Sequence, residues 1–583
     1  MSNRQSIAGL TPKYRWNCSA RALPWGFSLQ ILASMVIAVA SHQAVADEAA
    51  EVYRGDRLLK INIQLSPDDW HALRISHRIA DMARIAEDPY VYFKGDVEID
   101  GVVFKSVGIR KKGFFGSVVS NRPSLKIRFD EWNEEQEFHG LDQLTLNNNI
   151  QDASQLNQYL AYWMFNRAGA IAPRCNFALV TVNGENLGIY SNVESIRDPF
   201  LDRAFNDSKG KLYEGYAGDL VDDEISFSKI VRKNGKPQSG RKTLERFRAT
   251  LQDTSAGLNE IEKVVDVDAF LRFWAMEVLI GHWDSYSGNR NNYYLYQDSK
   301  SDRFYFIPWG ADSVFQDPGP FILEPVPKSV KAVGAVCARL WQIPEVQNRF
   351  QKEMRRLLNT VWNEQDILAE MERIQTMLEP HIADKAAATI KSGAAKAFIA
   401  NRRTEVLDEL DGDTPEWPEI KNMIQESFIQ PAMEITGTFR TTMSKDMPGN
   451  PFRSGKATLE AQIEGRKEKL TFAHVGSFAI PEIPDFIRPG YPAITLVAVD
   501  ESKTRNWTLQ FMIDPVRMKT EQPNLTVDHF CVWAMLIQGD PSSPKAARRV
   551  FGIHGTMKLD QFDPETGGTV AGSFRINSTA FAD

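Results

Sequence analysis

The sequence predicts an α+β protein: a mixed core followed by an all-β, sandwich-like module. Three observations carry this. Over about residues 50–215, strand-like runs closed by Asp-Gly and Asn-Gly turns alternate with helical periodicity. Over 216–425 the pattern is mainly helical, and from 430 to 583 it changes to short β runs broken by Pro and Gly. At 583 residues, with 43% hydrophobic and 25% charged, the chain has the composition of globular domains and length for several cores.

Residues 1–46 stand apart. They hold Arg4, Lys13, Arg15 and Arg21 and no acidic residue, then an apolar run over 28–40 that ends at Ala44-Val45-Ala46. A basic start, a short apolar stretch and a small-x-small site read as a secretory signal peptide, too short to span a bilayer. The mature chain is expected to begin near Asp47, to be periplasmic, secreted or surface-bound, and to carry no transmembrane helix. An uncleaved interfacial anchor is the other reading of this segment. Without it, 64 basic face 75 acidic residues, a charge of −11. An acidic body with no basic block argues against nucleic acid as the main partner.

The core's elements follow from local pattern. Runs 90–99 and 102–110 flank Asp100-Gly101, and runs 177–182 and 187–193 flank Asn183-Gly184, so each pair predicts a hairpin. Between them, 153–167 predicts a helix capped by Asp152, stopped at Gly169 and striped by Leu156, Leu160, Trp163 and Phe165. An Asp266 cap precedes a buried helix over 267–281. Amphipathic runs cover 341–376, and an Ala-rich helix 381–402. The Asp, Gly and Pro residues of 411–418 read as a linker. In the β module, 493–499, 507–513, 530–537 and 572–576 are the clearest strands. Cys175, Cys337 and Cys531 remain once Cys18 leaves with the signal, so at most one disulfide forms within the chain. The nine histidines show no HExxH or HxxxH spacing, and no zinc site is written.

The stretch 282–315, HWDSYSGNRNNYYLYQDSKSDRFYFIPWGADSVF, holds the chemistry. A buried helix ends at Gly281, and a polar loop then presents Asp284, Asn289, Asn291 and Asn292. Strands 293–297 and 303–309 follow, and Asp312 comes directly after them. Phosphoryl transfer needs a carboxylate near the incoming hydroxyl, an amide oxygen on a metal and a second carboxylate on that metal. A hairpin returns both loops to one edge, and D-x4-N followed by hairpin and Asp is the order protein kinases use. The blander reading makes Asn289–Asn292 a turn and Asp284 a helix cap. There is no GxSxG, no complete Walker A run and no GxGxxG. Ser239-Gly240-Arg241-Lys242-Thr243 reads as a basic surface loop, and nothing selects a glycosidase pair among the carboxylates.

The run NRNNYYLY, then FYFIPW and an Asp-containing loop, resembles the spore coat protein H (CotH) kinase family. VGIRKKGFFGS (107–117), SLKIRF (124–129), LTLNNNIQDAS (144–154) and VNGENLGIYSNVE (182–194) are similar to that family in the same order, so the resemblance covers roughly 90–320. It implies a protein-kinase-like bilobal core over 50–425, with lobes 50–215 and 216–425, that binds ATP with Mg²⁺ or Mn²⁺. It also implies transfer of the γ-phosphate to Ser or Thr of a protein substrate at the cell surface or in the periplasm. By position, Asp284 is the catalytic-loop Asp, while Asn289 and Asp312 are metal ligands. Lys126, with Leu125, Ile127 and Phe129 on the opposite strand face, is the candidate phosphate-contacting lysine; a solvated strand lysine is the alternative. Gly113 and Gly116 would let backbone amides approach phosphates. Glu194 pairs with a lysine or metal, or is an exposed strand-end residue. Two departures stand out: Gly310 replaces an Asp common in the family, and 151–158 is rich in Gln and Asn. They keep a second reading open, a degenerate kinase fold whose β module recognises protein or glycan.

Overall fold

A computed structural model describes residues 48–76, 90–113, 119–237, 239–317, 326–417 and 433–578, the last apart from 445–454, 464, 469, 480–490, 501–505, 517, 519–522, 528–531 and 540–548. The signal segment, Gly116 and Cys531 lie outside the described residues.

Seven strands close a barrel in the order β1-β2-β3-β4-β5-β7-β6: β1 (Leu58–Gln64), β2 (Phe93–Ile99), β3 (Val102–Lys111), β4 (Leu125–Arg128), β5 (Gln143–Asn147), β6 (Cys175–Val182) and β7 (Glu185–Val193). Both expected hairpins form. Ile99 pairs with Val102 across Asp100 and Gly101, and Val182 pairs with Glu185 across Asn183 and Gly184. All four turn residues have positive φ, between 49° and 88°, the conformation that matches strand twist in a two-residue hairpin. Alternate side chains fill the barrel, among them Ile61, Val97, Ile109, Leu125, Ile127, Leu146 and Val180. The other face of β3, β4 and β5 therefore presents Arg110, Lys126, Thr145 and Asn147, with Arg110 opposite Lys126 and Lys126 opposite Thr145, and Lys112 directly follows β3.

A second sheet has the order β11-β10-β8-β9: β8 (Lys211–Gly215), β9 (Ile230–Arg232), β10 (Tyr293–Gln297) and β11 (Phe304–Pro308). The helix Val267–Leu279 packs behind it, capped by Asp266, whose carboxylate accepts the Ala269 N–H at 3.0 Å. The helices Pro344–Thr360, Glu364–Leu378 and Lys385–Leu410 complete this core. The helix expected over 153–167 starts later, at Asn157. Gln155 has φ 63°, and the Asp152 carboxylate accepts the N–H groups of Ser154 and Asn157, so residues 152–156 form a polar turn.

Strands β12 (Met433–Ser444), β13 (Lys456–Ile463), β14 (Arg466–Glu468), β15 (Leu470–Ala479), β16 (Pro492–Asp500), β17 (Asn506–Ile513), β18 (Asn524–Val527), β19 (Val532–Gly539), β20 (Arg549–Phe562) and β21 (Thr569–Ser578) form one ten-stranded sheet around its own core. β12 pairs with both β15 and β21, so the pairings return on themselves as a ring. The sandwich expectation called for two separate sheets. Alternation along each strand fixes which residues point inward but not whether the sheet splits or closes. Trp507 is buried in this core. Cys175 and Cys337 are free and buried. No described helix is long and apolar enough to cross a membrane.

Candidate functional site

The loop after Val267–Leu279 turns at Gly281 (φ 61°), where a β-carbon would meet Phe398 Cζ at 2.6 Å and the Gln316 carbonyl at 2.8 Å. Backbone bonds then lace this loop to the segment after β11. Trp283 N–H donates to Ser313 O (3.3 Å), Phe315 N–H to Ile280 O (2.8 Å), and Trp309 N–H to Asn292 O (3.0 Å). The hairpin β10–β11, in register from Tyr293–Pro308 to Gln297–Phe304, brings its two ends back to one edge. That edge holds Asp284 and Asp312 together, as the sequence order requires.

Asp284 is held by amides. Asn289 Nδ2 donates to its Oδ1 at 2.6 Å, Asn292 Nδ2 to Oδ2 at 2.8 Å, and Asn291 Nδ2 to both oxygens at 3.3 Å. Burial raises its pKa, and these three donors oppose the rise. Asp312 has no such shell. Removal from water and the neighbouring Asp284 charge push it up to about 7, while Lys112 pulls down and Asp152 adds to the rise. Its main-chain carbonyl accepts Asn157 Nδ2 at 2.7 Å.

The loop is braced from behind. The buried Glu277 carboxylate accepts Ser287 N–H at 2.9 Å, and Ser285 Oγ accepts Gly288 N–H at 3.1 Å. Tyr286 Oη donates to the fully buried Asp219 at 3.0 Å, with Arg290 Nε 3.4 Å from the same carboxylate. Burial carries Glu277 up to about 7. His282 is buried; desolvation, then the Lys331 charge, bring it down to about 3, so its ring is neutral at pH 7.

Opposite the carboxylates stands Lys112. Its ammonium bonds Asn147 Oδ1, lies 5.8 Å from the Trp309 ring centroid and feels the Asp312 and Glu214 charges, while burial brings it down to about 8. Lys126 is one strand away, on the same face. Burial, then the charges of Arg110, Lys112 and Lys233, depress its pKa strongly, and Glu214 opposes them. Glu214 is itself taken up by Lys233 at 2.9 Å and Tyr216 Oη at 2.5 Å. Among the described residues, Lys126 Nζ makes no hydrogen bond or ion pair.

The remaining candidates separate. Gly113 has φ 107° and its carbonyl accepts Tyr90 Oη at 2.9 Å. Glu194 is not exposed. It is 1% accessible, and its carboxylate is bonded by Arg174 and Arg203, both at 2.7 Å. Those arginines hold it below the usual carboxylate range against the cost of burial. It is a structural ion-pair centre. Gly310 has φ 48°, and a β-carbon there would overlap the Asn292 side chain, with Cγ at 2.6 Å. Asn292 thus occupies the space that a side chain at position 310 would need.

Several residues had signals the sequence reading did not use. His282 makes the loop H-x-D-x4-N, the full order of a kinase catalytic loop. Lys112 follows from strand alternation, two residues after Arg110 on the outward face of β3. The amides of 151–158 are a connecting network: Asn147 Nδ2 donates to Gln158 Oε1 at 2.6 Å, and Asn157 reaches Asp312.

Among the described residues, no three His, Cys, Asp or Glu side chains are grouped to hold a metal. Mg²⁺ does not require such a group, because it is bound through one or two carboxylates together with substrate phosphates and waters. Two neighbouring carboxylates, with the Asp284 charge raising the pKa of Asp312, and an Asn289 amide oxygen left free by its Nδ2 bond suit that ion's donor chemistry.

A family model described as CotH kinase protein matches residues 109–406. The inner spore coat protein H of Bacillus subtilis is 26% identical over 267 residues, covering 42% of this chain and 71% of that protein. Spore coat protein homolog 1 of Rhizopus delemar is 24% identical over 36% of this chain, which spans only 38% of that relative's length. The crystal structure of a Helicobacter pylori proinflammatory kinase, CtkA, aligns with 49% of this chain and 92% of its own at 9% identity; its TM-score of 0.24 is too low to bear on the fold. The family match spans half of the sequence, and the protein belongs to the CotH kinase family.

Proposed function

We propose that the protein transfers the γ-phosphate of ATP to a Ser or Thr hydroxyl of secreted, periplasmic or surface proteins. The observation that carries this reading is the convergence of Asp284, Asn289 and Asp312 on one edge, with Lys112 beside Asp312 and Lys126 on the neighbouring strand. Asp284, oriented by its three amide donors, would align the acceptor hydroxyl and take its proton as that oxygen bonds to the γ-phosphorus. The bond from the γ-phosphorus to the β-phosphate oxygen breaks in the same displacement, leaving ADP. Lys112 and Lys126 would bind phosphate oxygens, and Lys112, directly after β3, is held by Asn147. Asp312 and Asn289 Oδ1 would hold Mg²⁺ or Mn²⁺, which when bound neutralises charge on the β- and γ-oxygens. The buried Glu277 keeps the loop's backbone in position by accepting the Ser287 N–H, and the buried His282 ring beside it is neutral.

The reading includes a bilobal, kinase-like core over 50–425, divided near 215, and export directed by residues 1–46. The coat location stated in the relatives' names accords with export. One observation favours a second reading, a non-catalytic binding protein: Asn292 occupies the space that a side chain at position 310 would need. Calorimetry of ATP with Mg²⁺ or Mn²⁺ decides between them. Metal-dependent binding that is lost in Asp312→Ala, with Asp284→Ala retaining binding but not autophosphorylation, supports transfer. Absence of binding by the wild type under either metal would leave the binding protein. A glycan platform in the β module cannot use Trp507, which is inside the core.

A further inference from the structure

The C-terminal module reaches back to the connection between β3 and β4. Ser120, 1% accessible, donates from Oγ to Asp514 Oδ1 at 2.7 Å and from its N–H to Tyr491 Oη at 3.3 Å. Tyr491 Oη donates to Asp514 Oδ2 at 3.4 Å, and Val516 N–H fixes Asp514 Oδ1 at 2.8 Å. Tyr491 and Asp514 are 1% and 3% accessible. They flank β16 and β17 at one end, since Ala493 pairs with Met512, so adjacent strand ends supply the phenol and the carboxylate. The barrel holds residues 120–123 of this connection: Arg74 Nε bonds Ser120 O at 2.9 Å, Asn148 Nδ2 bonds Arg122 O at 2.6 Å, and Tyr190 Oη bonds Pro123 O at 3.0 Å. At its other end the connection begins with Lys112 and Gly113.

We propose that the module is an intramolecular docking partner of the β3–β4 connection, and that this docking is coupled to occupancy of the site that starts at Lys112. Buried hydroxyl, phenol and carboxylate groups satisfy one another across the interface. Separation would leave each to be solvated anew, so the contact is selective for the docked state. Lys112 N–H donates to Ser124 O at 3.0 Å, which ties the site to the docked end, and coupling is reciprocal: a ligand that binds better in the docked state strengthens docking, and docking strengthens ligand binding. The coupling rests on the phosphotransfer reading, whereas the docking does not.

Amide exchange on the intact chain tests both, comparing wild type with Asp514→Ala and Tyr491→Phe. The phenylalanine keeps the buried ring and removes only the hydroxyl. Peptides covering 113–124 should exchange about tenfold faster in either variant, with Val267–Leu279 unchanged. ATP with Mg²⁺ should slow exchange at both 113–124 and 491–514 in the wild type, and bind several-fold more weakly to the variants. Unchanged exchange of 113–124 in both variants overturns the docking. Faster exchange with equal ATP affinity in all three proteins overturns the coupling. If the wild type binds no ATP, the phosphotransfer reading and the coupling both fall, and exchange in the two variants still decides the docking.

Discussion

Glu194 and Asp312 are both carboxylates withdrawn from bulk water, and their surroundings are opposite. Glu194 lies between two arginines and is driven below the usual carboxylate range. Asp312 lies beside Asp284, with Lys112 facing it, and rises to about 7. A neutralised buried charge is scaffolding, because its ion pairs already offset the cost of burial. A poorly neutralised one is held against its own electrostatics by the fold, and a ligand of opposite charge completes it. The buried Asp317, bonded by Arg402 at 2.8 Å with Lys331 3.4 Å away, falls in the first class.

That contrast can be broken most directly at Glu194. Glu194→Ala leaves two arginines without their carboxylate and should cost about 3–5 kcal/mol of stability in denaturant unfolding. ATP affinity should stay near wild type once the protein is folded, and a selective loss of ATP binding would move Glu194 into the site.

Glu277 offers the next largest effect, through pH. Its folded pKa is raised, so its favourable contribution is full below the unfolded value near 4.5 and is lost as pH climbs to about 7. The difference in unfolding free energy between wild type and Glu277→Gln should therefore change by about 3 kcal/mol across that window and be flat above it. A flat difference from pH 4 to 8 would contradict the buried, proton-binding carboxyl.

Gly310→Ala puts a β-carbon into the Asn292 side chain at a positive φ, so about 1–2 kcal/mol should be lost, with a shift in the Asn292–Asp284 bond visible in a structure of the variant. The smallest effect has the opposite sign. Asp312→Asn removes one of two mutually repelling carboxylates and should raise stability by about 1 kcal/mol at pH 8 in thermal or denaturant unfolding, while abolishing metal-dependent ATP binding. Destabilisation by that substitution would place Asp312 with Glu194.

Both Asx-Gly hairpins were legible because two-residue turns demand positive φ at both positions and few residues supply it. The helix over 267–279 was legible from its Asp266 cap and apolar content. The start of the helix at Asn157 was not, because Asp152 uses its carboxylate to shape a turn first, and capping chemistry looks the same in both cases. The burial of Glu194 was also hidden: Arg174 and Arg203 are 20 and 9 residues away, and an isolated strand-end Glu carries no mark of them.

The amino-acid sequence by itself determined the local periodicities, the turns, and the order of loop, hairpin and aspartate that joins Asp284 to Asp312. Those are short-range matters of backbone sterics and alternation. The tertiary structure alone decided that seven strands close into a barrel, that the β module pairs into a ring, and that Lys112 faces Asp312. It also decided that Asp514 meets Ser120, almost four hundred residues away. Closure, charge neutralisation and docking depend on which distant surfaces share the same buried space, and local pattern holds no record of that.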